Sequence, residues 1–455
     1  MEPTPKISPS LAEKVIRLYA RPDVRAAVEK INDDYLYWSD VKYRPLPDGM
    51  SAEDLWAVVK FSRRVNQVFE WPKYHITVSV TNFMQRVCHD LDMNFGGSWG
   101  NGNLLPEEGR ERYLISSLME EAISSSQMEG AVTTRRVAKE MLRKNQSPKD
   151  RSQQMILNNY RAIQYLVEHK ENTLSEAFIL DIHRLMTFKT MKNTIDAGRF
   201  RSANDDIRVV NEITGEVVHT PPAASEIPVF IEALCEFVNH EQDSVFIHPI
   251  IKAIILHFMI AYVHPFVDGN GRTARALFYW YMLKQGYWLM EYLSISRIIY
   301  RSKTSYEKAF LCTENDGMDM GYFINYHLKV MSQSFKELRE YIQRKKRSIR
   351  ETALLPKMHG LNRRQIEILT VFNVTPNKIM TVKEVQNRFG VSDPTARQDL
   401  VSLVEKGFLT EIEINKVKKG FVKVNSVQRE ERQIKNQCFL AKAQRSQRNV
   451  RSMHG

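Results

Sequence analysis

The segment His264-Pro-Phe-Val-Asp-Gly-Asn-Gly-Arg-Thr-Ala-Arg275 concentrates side chains that can do chemistry on a phosphate. Gly269 and Gly271 let backbone N–H groups close on an anion, which would also meet the positive end of the helix that follows. Arg272 and Arg275 are spaced i, i+3, so both can point at one anionic ligand. Asp268 supplies a hard oxygen suited to magnesium, the usual companion of polyphosphates. His264 can act as base for an incoming hydroxyl. Each residue alone has a structural use, since histidines often close apolar helices and glycine turns are common. Base, metal ligand, phosphate nest and two arginines in one short stretch point instead to a phosphate-handling site.

Flanking elements must hold this loop. Ahead of it, Ile247, Ile250, Ile251, Ile254, Ile255, Phe258, Met259 and Tyr262 make one helix face, and residues 274–283 begin a second buried helix. Upstream, Ile207, Arg208, Val209 and Val210 form a short β-like run, followed across residues 211–215 by Glu216-Val-Val-His219 and stopped by Pro221-Pro222. The spacing predicts a helix over 108–128, with Leu114, Ile115, Leu118, Met119, Ala122 and Ile123 on its apolar side and Gly130 as its stop. Glu129 then sits at a helix C-terminus, where the dipole disfavours a negative charge and a nearby cation would relieve the cost; a solvated surface Glu is the alternative. A last helix is expected over 322–350, with Asp319 as its N-cap. In the N-terminal part the pattern is helical, broken at Pro45, Pro47 and Gly49 before Ser51, a candidate N-cap. The glycine-rich stretch 95–102 reads as a loop, because no strand precedes it to make a phosphate-binding turn.

Composition narrows the class. The chain has 455 residues, 43% hydrophobic and 26% charged, enough for several domains of ordinary globular type. Residues 1–9 contain no apolar signal core, and 250–263, the most apolar stretch, is too short to span a bilayer and contains Lys252 and His257. Four separated cysteines without a CxxC pair indicate neither zinc nor disulfides, so a cytoplasmic setting with no membrane partner is expected. The net charge of +12 suits nucleoside polyphosphate and nucleic acid alike, with basic blocks at 344–347 and 429–451.

The loop resembles the Fic motif HxFx(D/E)GNGRxxR at every specified position: His264, Phe266, Asp268, Gly269, Asn270, Gly271, Arg272 and Arg275. The resemblance covers residues 108–346, roughly half the chain. It implies an all-helical core that transfers a nucleoside monophosphate, usually AMP from ATP, to a Ser, Thr or Tyr hydroxyl of a target protein. By the motif, His264 would be the general base, Asp268 the Mg²⁺ ligand and Phe266 the loop anchor. Gly269, Asn270 and Gly271 would hold the phosphates, and Arg272 and Arg275 would neutralise the β and γ groups. The related Doc kinases lack the second glycine; retention of Gly271 favours nucleotidyl transfer. The hairpin around 207–219 looks like the Fic flap, whose strand edge would pair with an extended target segment, although a plain surface hairpin has the same pattern. Gly198-Arg-Phe-Arg201 and His219-Thr-Pro-Pro222 resemble the flanking elements of the family. Ser125-Ser-Gln-Met-Glu129-Gly130 matches the inhibitory motif (S/T)xxxE(G/N), which implies that Glu129 pairs with Arg275, supported by Ser125, and blocks seating of the γ-phosphate.

Beyond residue 360, three short helical patterns over 363–372, 381–389 and 394–406 precede two alternating runs, 409–414 and 420–424. Gly407 follows the third pattern where a helix-stopping glycine belongs. This order makes a winged helix-turn-helix. Ser392 or Asp393 would cap its recognition helix, with Thr395, Arg397 and Gln398 free for a groove and Lys416, Lys418 and Lys419 on the wing for phosphates. The rival function is therefore a DNA-binding regulator whose Fic core uses another nucleotide or removes AMP. Binding a protein partner or packing within a homodimer is the other use of such a module. The expected fold is mainly α: a Fic helical bundle with a β-hairpin flap plus a C-terminal winged helix-turn-helix. Its expected divisions are a helical region 1–107, the catalytic core with its inhibitory helix 108–346, a linker 347–360, the winged helix 361–425 and a basic tail 426–455.

Overall fold

A computed structural model of the chain describes residues 1–96, 110–210, 215–240, 245–374, 378–414 and 419–424. It divides into two compact units, Met1–Arg339 and Glu340–Gly455. The first opens with α1 (Ala12–Tyr19), α2 (Pro22–Asp34), α3 (Trp38–Val41) and α4 (Ala52–Val65), then a hairpin of β1 (Gln67–Trp71) and β2 (Ile76–Ser79), then α5 (Asn82–Leu91). Next come α6 (Arg110–Met128), α7 (Arg135–Arg143), α8 (Arg151–Glu168) and α9 (Glu176–Thr187), followed by a second antiparallel hairpin, β3 (Val209–Val210) and β4 (Val217–His219). The unit continues through α10 (Ile227–Asn239), α11 (Pro249–Val263), α12 (Asn270–Lys284), α13 (Ile295–Arg301), α14 (Lys303–Asn315) and the start of α15 (Gly321–His359).

Local chemistry explains the starts of these helices. Ser51 and Asp54 form a reciprocal capping box at α4. Asp150 and Ser175 cap α8 and α9 by accepting the backbone N–H three residues on. The helix α11 opens at Pro249, the residue type best tolerated where the first N–H has no helical partner. Nearly every side chain of α11 and α12 is buried; α11 is apolar almost all round, as expected of a central helix, whereas α12 buries Asn270, Arg272, Thr273 and Arg275 in its first turns. Among the described residues no helix is long and apolar enough to cross a membrane.

The N-terminal region, expected to be helical, contains the additional hairpin β1–β2. An irregularity between Gln67 and Phe69 breaks the two-residue alternation that would have revealed it. Its second strand is completed from far away: Thr77 N–H donates to the Met318 carbonyl at 3.1 Å, and the Thr77 carbonyl accepts from Met320 N–H at 2.9 Å. The N-terminal helices also share a buried polar cluster with the start of α15. Tyr35 Oη donates to Asp319 Oδ1 at 2.6 Å, Lys60 Nζ to Asp316 Oδ2 at 2.8 Å, and Arg63 to Tyr322 Oη at 2.6 Å. Residues 1–96, expected as a separate helical region, are thus part of the same unit as the core. Asp319 accepts the Gly321 N–H, as the cap reading required, and in addition carries these charged contacts. Residues 347–359, expected as an irregular linker, continue α15 as helix to His359. Pro356 falls in the last turn, and Glu351, Ala353, Leu354 and Leu355 before it favour helix.

In the second unit, α16 (Arg363–Val374), α17 (Val382–Phe389) and α18 (Asp393–Glu405) precede the hairpin of β5 (Leu409–Glu413) and β6 (Lys419–Lys423), in the order of a winged helix-turn-helix. Phe372, Met380, Leu400, Leu403 and Phe421 build its core. Met380 and Phe421 exchange backbone hydrogen bonds at 3.0 and 2.8 Å, which fastens the hairpin to the segment before α17. Gly407 terminates α18 with positive φ, as its position required. Ser392 holds the N-cap position, but its hydroxyl meets the Thr395 hydroxyl at 2.9 Å rather than a backbone N–H. Lys416, Lys418, the tail 426–455, Glu108, and most of the stretches 95–102 and 211–215 lie outside the described residues. So do the side chains of Lys345 and Lys346.

Arg63 is the buried cation of the cluster beside Asp316 and Asp319. Arg63→Ala would leave two buried carboxylates with only Lys60, and we expect it to cost about 3–5 kcal/mol in denaturant unfolding of the full chain.

Candidate active site

The loop between α11 and α12 is built around a reversal at His264. This residue adopts the left-handed conformation (φ 50°, ψ 57°), uncommon for a side chain larger than glycine. Arg201 makes the reversal stable. Its Nε donates to the His264 carbonyl at 2.7 Å, and its Nη2 donates to the carbonyls of Pro222 at 2.6 Å and Val263 at 3.2 Å. Its backbone N–H reaches Pro265 O at 2.8 Å. The upstream elements 198–201 and 219–222 thus converge on His264 through Arg201, which bonds the carbonyls of both His264 and Pro222.

His264 Nδ1 lies 3.0 Å from the Ala261 carbonyl, an acceptor, so Nδ1 carries the hydrogen and Nε2 the lone pair. Burial pushes its imidazole down to about 4, with the Ala261 carbonyl pulling the other way. At neutral pH the ring is therefore a neutral base with a defined tautomer.

Phe266 is fully buried, its ring stacked 3.8 Å from that of His183. Asn270 clasps the turn: its amide accepts from Phe266 N–H at 2.9 Å and donates to Phe266 O at 2.8 Å. Asn270, expected among the phosphate-holding residues, thus uses its side-chain amide to close the loop, and its backbone N–H lies at the start of α12. Gly269 caps α12 with φ 87°, and a Cβ there would meet Thr187 Cγ2 at 2.8 Å. The His183 ring bridges two segments, Nε2 at 2.8 Å from Asp268 O and Nδ1 accepting from Gly198 N–H at 2.9 Å. Nothing in the sequence separated His183 from any other histidine on an amphipathic helix.

The charged groups converge on the start of α12. Asp268 accepts from Gly269 N–H at 2.6 Å and from Arg151 Nη2 at 3.2 Å, its side chain 42% exposed. Arg272 is fully buried; Nη1 donates to Met186 O at 2.9 Å, while Nε has no hydrogen-bond partner among the described residues. Burial lowers its pKa, a sign that the cation is held at a cost. Arg275 donates through Nε to Ser125 Oγ at 2.9 Å and through Nη2 to Ser125 O at 3.0 Å and Glu129 Oε1 at 2.8 Å. Burial by itself would raise the Glu129 pKa; the charge of Arg275 and its hydrogen bond outweigh this, and the net direction is down. The Glu129 carboxylate covers Gly271, where an added Cβ would collide with it. Earlier on α6, Glu121 accepts from Ser296 N–H at 2.9 Å and from the Ser294 and Ser296 hydroxyls, which docks α6 at the start of α13.

In the expected hairpin, Val209 and Val210 form β3, whereas Ile207 and Arg208 precede it. The outer residues Val210 and Val217 are both 49% exposed. On α18, Arg397 and Gln398 are exposed and Thr395 is half-buried. Lys419 lies in β6 rather than on the tip and pairs with Glu411 at 2.6 Å.

Comparison with known proteins places this geometry in a class. Residues 173–282 match the Fic/DOC family, and residues 364–412 match the DeoR-like helix-turn-helix domain. The chain carries a Fic domain followed by a helix-turn-helix domain of DeoR-like type. It is similar to the Protein adenylyltransferase Fic of Drosophila grimshawi, 31% identical over 122 residues, which is 27% of this chain and 22% of that protein. The like-named protein of Drosophila virilis is also 31% identical over 122 residues, with the same coverage. The match thus spans about a fifth of the length of these curated relatives. Among solved structures, a Fic family protein from Desulfovibrio desulfuricans G20 is 16% identical with a TM-score of 0.48, covering 76% of this chain and 98% of that one.

Replacing Asn270 with Ala removes both bonds to Phe266 and strands a buried N–H and a buried C=O. The expected loss is about 1–3 kcal/mol for each group left unpaired, read as a lowered denaturation midpoint.

Proposed function

We propose that this protein transfers AMP from ATP to a Ser, Thr or Tyr hydroxyl of a target protein, and that Glu129 holds the activity down. The observation that carries this reading is the meeting, at the N-terminus of α12, of a neutral His264 base, a buried Arg272 with an unpartnered Nε, and Arg275 engaged by Glu129. The sequence likeness to proteins named Protein adenylyltransferase Fic, 31% identity over 122 residues, supports the same reading.

In this mechanism the polyphosphate lies over the start of α12, where the N–H groups of Asn270 and Gly271 and the helix dipole favour anions. Arg272 and Arg275 neutralise the outer phosphates. His264 Nε2 takes the proton of the target hydroxyl as its oxygen forms a bond to the α-phosphorus. The bond from that phosphorus to the bridging oxygen breaks, and pyrophosphate leaves. Asp268 is the residue that would hold magnesium. A single half-exposed carboxylate suits an ion that completes its shell with phosphates and water, and among the described residues no group of three His, Cys, Asp or Glu side chains forms a closed metal cage. Magnesium would supply charge neutralisation of the phosphates, replacing Arg151 on Asp268. With Glu129 on Arg275, that guanidinium is withheld from the γ-phosphate, and the carboxylate adds a negative charge where the phosphate would sit.

Incubation with ATP labelled at the α- or the γ-phosphate tests this. We expect α-label on protein, raised about tenfold or more by Glu129→Gly, which corresponds to about 1.4 kcal/mol of relieved inhibition. His264→Ala in that background should lower it by about 10²–10⁴-fold. Label from γ-ATP would replace this reading with phosphorylation. Because base catalysis needs the neutral ring, kcat/KM of the Glu129→Gly protein should stay unaffected by His264 protonation near neutrality and fall only below about 4, since the Glu129 charge that favours ring protonation is gone.

The helix-turn-helix match favours a second, compatible reading, in which α18 binds DNA through Arg397 and Gln398. Phosphate contacts predict a steep, log-linear loss of affinity with added salt. Fluorescence anisotropy with duplex DNA, in which the wild type shows no salt-dependent binding or Arg397→Ala binds as well, would remove this reading.

A further inference from the structure

His219, the last residue of β4, is held by two acceptors at once. Its Nδ1 lies 3.0 Å from Glu314 Oε2 on α14, and its Nε2 lies 2.7 Å from the Tyr262 carbonyl in the last turn of α11. A backbone carbonyl only accepts, and so does an ionised carboxylate, so both ring nitrogens carry hydrogen and the ring is an imidazolium. The location suits a cation: carbonyls of a final helical turn lack helical partners and form the negative end of the dipole. Burial alone would lower the pKa of the ring; the hydrogen bond and charge of Glu314 outweigh it, and the net direction is up.

Four groups face this imidazole from the elements around it. Glu314 on α14 supports its charge, and Arg201, from the segment before the hairpin, opposes it. Tyr262 on α11 packs its ring 4.9 Å away. His264, just past α11, is held further toward neutrality by the nearby charge of His219. Within the hairpin, His219 is paired with Val209 at the root, inside the half-exposed Val210 and Val217. One side chain therefore joins the root of the hairpin to the helix whose end delivers the base.

We propose that His219 is a positioning residue: clamped as a cation between Glu314 and the end of α11, it sets the target-holding hairpin against His264. This rests on reading the hairpin as the target flap and His264 as the base. The folded ring titrates above its ordinary value of 6.5, so the clamp is complete at and below that pH. It is lost as pH rises through the folded value, and the flap root loosens on the alkaline side.

The first test needs neither ATP nor target. Ring-nitrogen NMR of the full chain, with His219 assigned from its disappearance in His219→Gln, should show a doubly protonated ring at neutral pH that becomes neutral in Glu314→Gln. Amide exchange at Val210 and Val217, corrected for the intrinsic pH dependence, should accelerate by about tenfold in Glu314→Gln. The pH at which the wild-type flap loosens should also move down in that variant. A neutral ring at pH 7 in the wild type, or a flap indifferent to Glu314→Gln, overturns the proposal. In the Glu129→Gly background, His219→Gln should lower α-label transfer while calorimetric ATP affinity is unchanged; transfer unchanged with a loosened flap also overturns it. An intact clamp in a protein that transfers no α-label would sink the enzymatic reading alone.

Discussion

The reversal at His264 depends on Arg201, a buried guanidinium that bonds the carbonyls of Val263, His264 and Pro222. Three bonds to carbonyls from one planar fork fix distances that a flexible lysine would leave loose. With that fork in place, α11 ends on a left-handed residue, the chain turns into the loop, and α12 begins with its N–H groups facing the turn. Asn270 closes the same turn from the other side through Phe266. The loop proposed to handle phosphate is therefore closed by hydrogen bonds of its own, which is what pre-organised electrostatic stabilisation requires.

That closed loop concentrates positive charge. Arg272 has no exposure to water and only partial compensation, and Arg275 is nearly as buried. Isolated buried cations are costly, so each needs an anion. Arg275 finds one in Glu129 and a supporting hydroxyl in Ser125, both from α6. Arg272 meets Asp268 only at 3.5 Å and keeps an unpartnered Nε. One arginine is thus satisfied from within the chain while the other remains short of partners. In the proposed mechanism the same demand for a negative charge would be met either by a polyphosphate or by Glu129, so that ligand and brake would compete.

Away from the loop, polar clusters join distant parts of the chain alongside apolar contacts such as those of Phe69 and Trp71 with Phe237. Glu121 seats α6 against α13, and the Lys60–Arg63–Asp316–Asp319 group joins the N-terminal helices to the start of α15. Such clusters demand matched partners in fixed geometry, and a cluster with one member removed is worse than an apolar contact. They specify arrangement more than they add stability.

Much of this molecule was legible in the order of its residues. The helices around the loop follow from apolar periodicity, the winged module from three short helical patterns and two alternating runs, and the end of α6 beside Glu129 from the glycine at 130. These signals are local: a cap, a glycine or a repeat acts on its neighbours, so sequence alone carries it. What only the tertiary structure decided are relations between residues far apart in the chain. Thr77 completes its strand with 318 and 320, His183 locks the loop at 198 and 268, and His219 finds Glu314 and Tyr262. The use of the Asn270 side chain within the loop was likewise decided by the fold, while the continuation of α15 through Pro356 follows the helix propensity of the residues before it. A histidine or arginine has the same symbol whether it is solvated, ligating or buried between carbonyls. Its role is set by which acceptors the fold brings within 3 Å or so, and no local pattern records that.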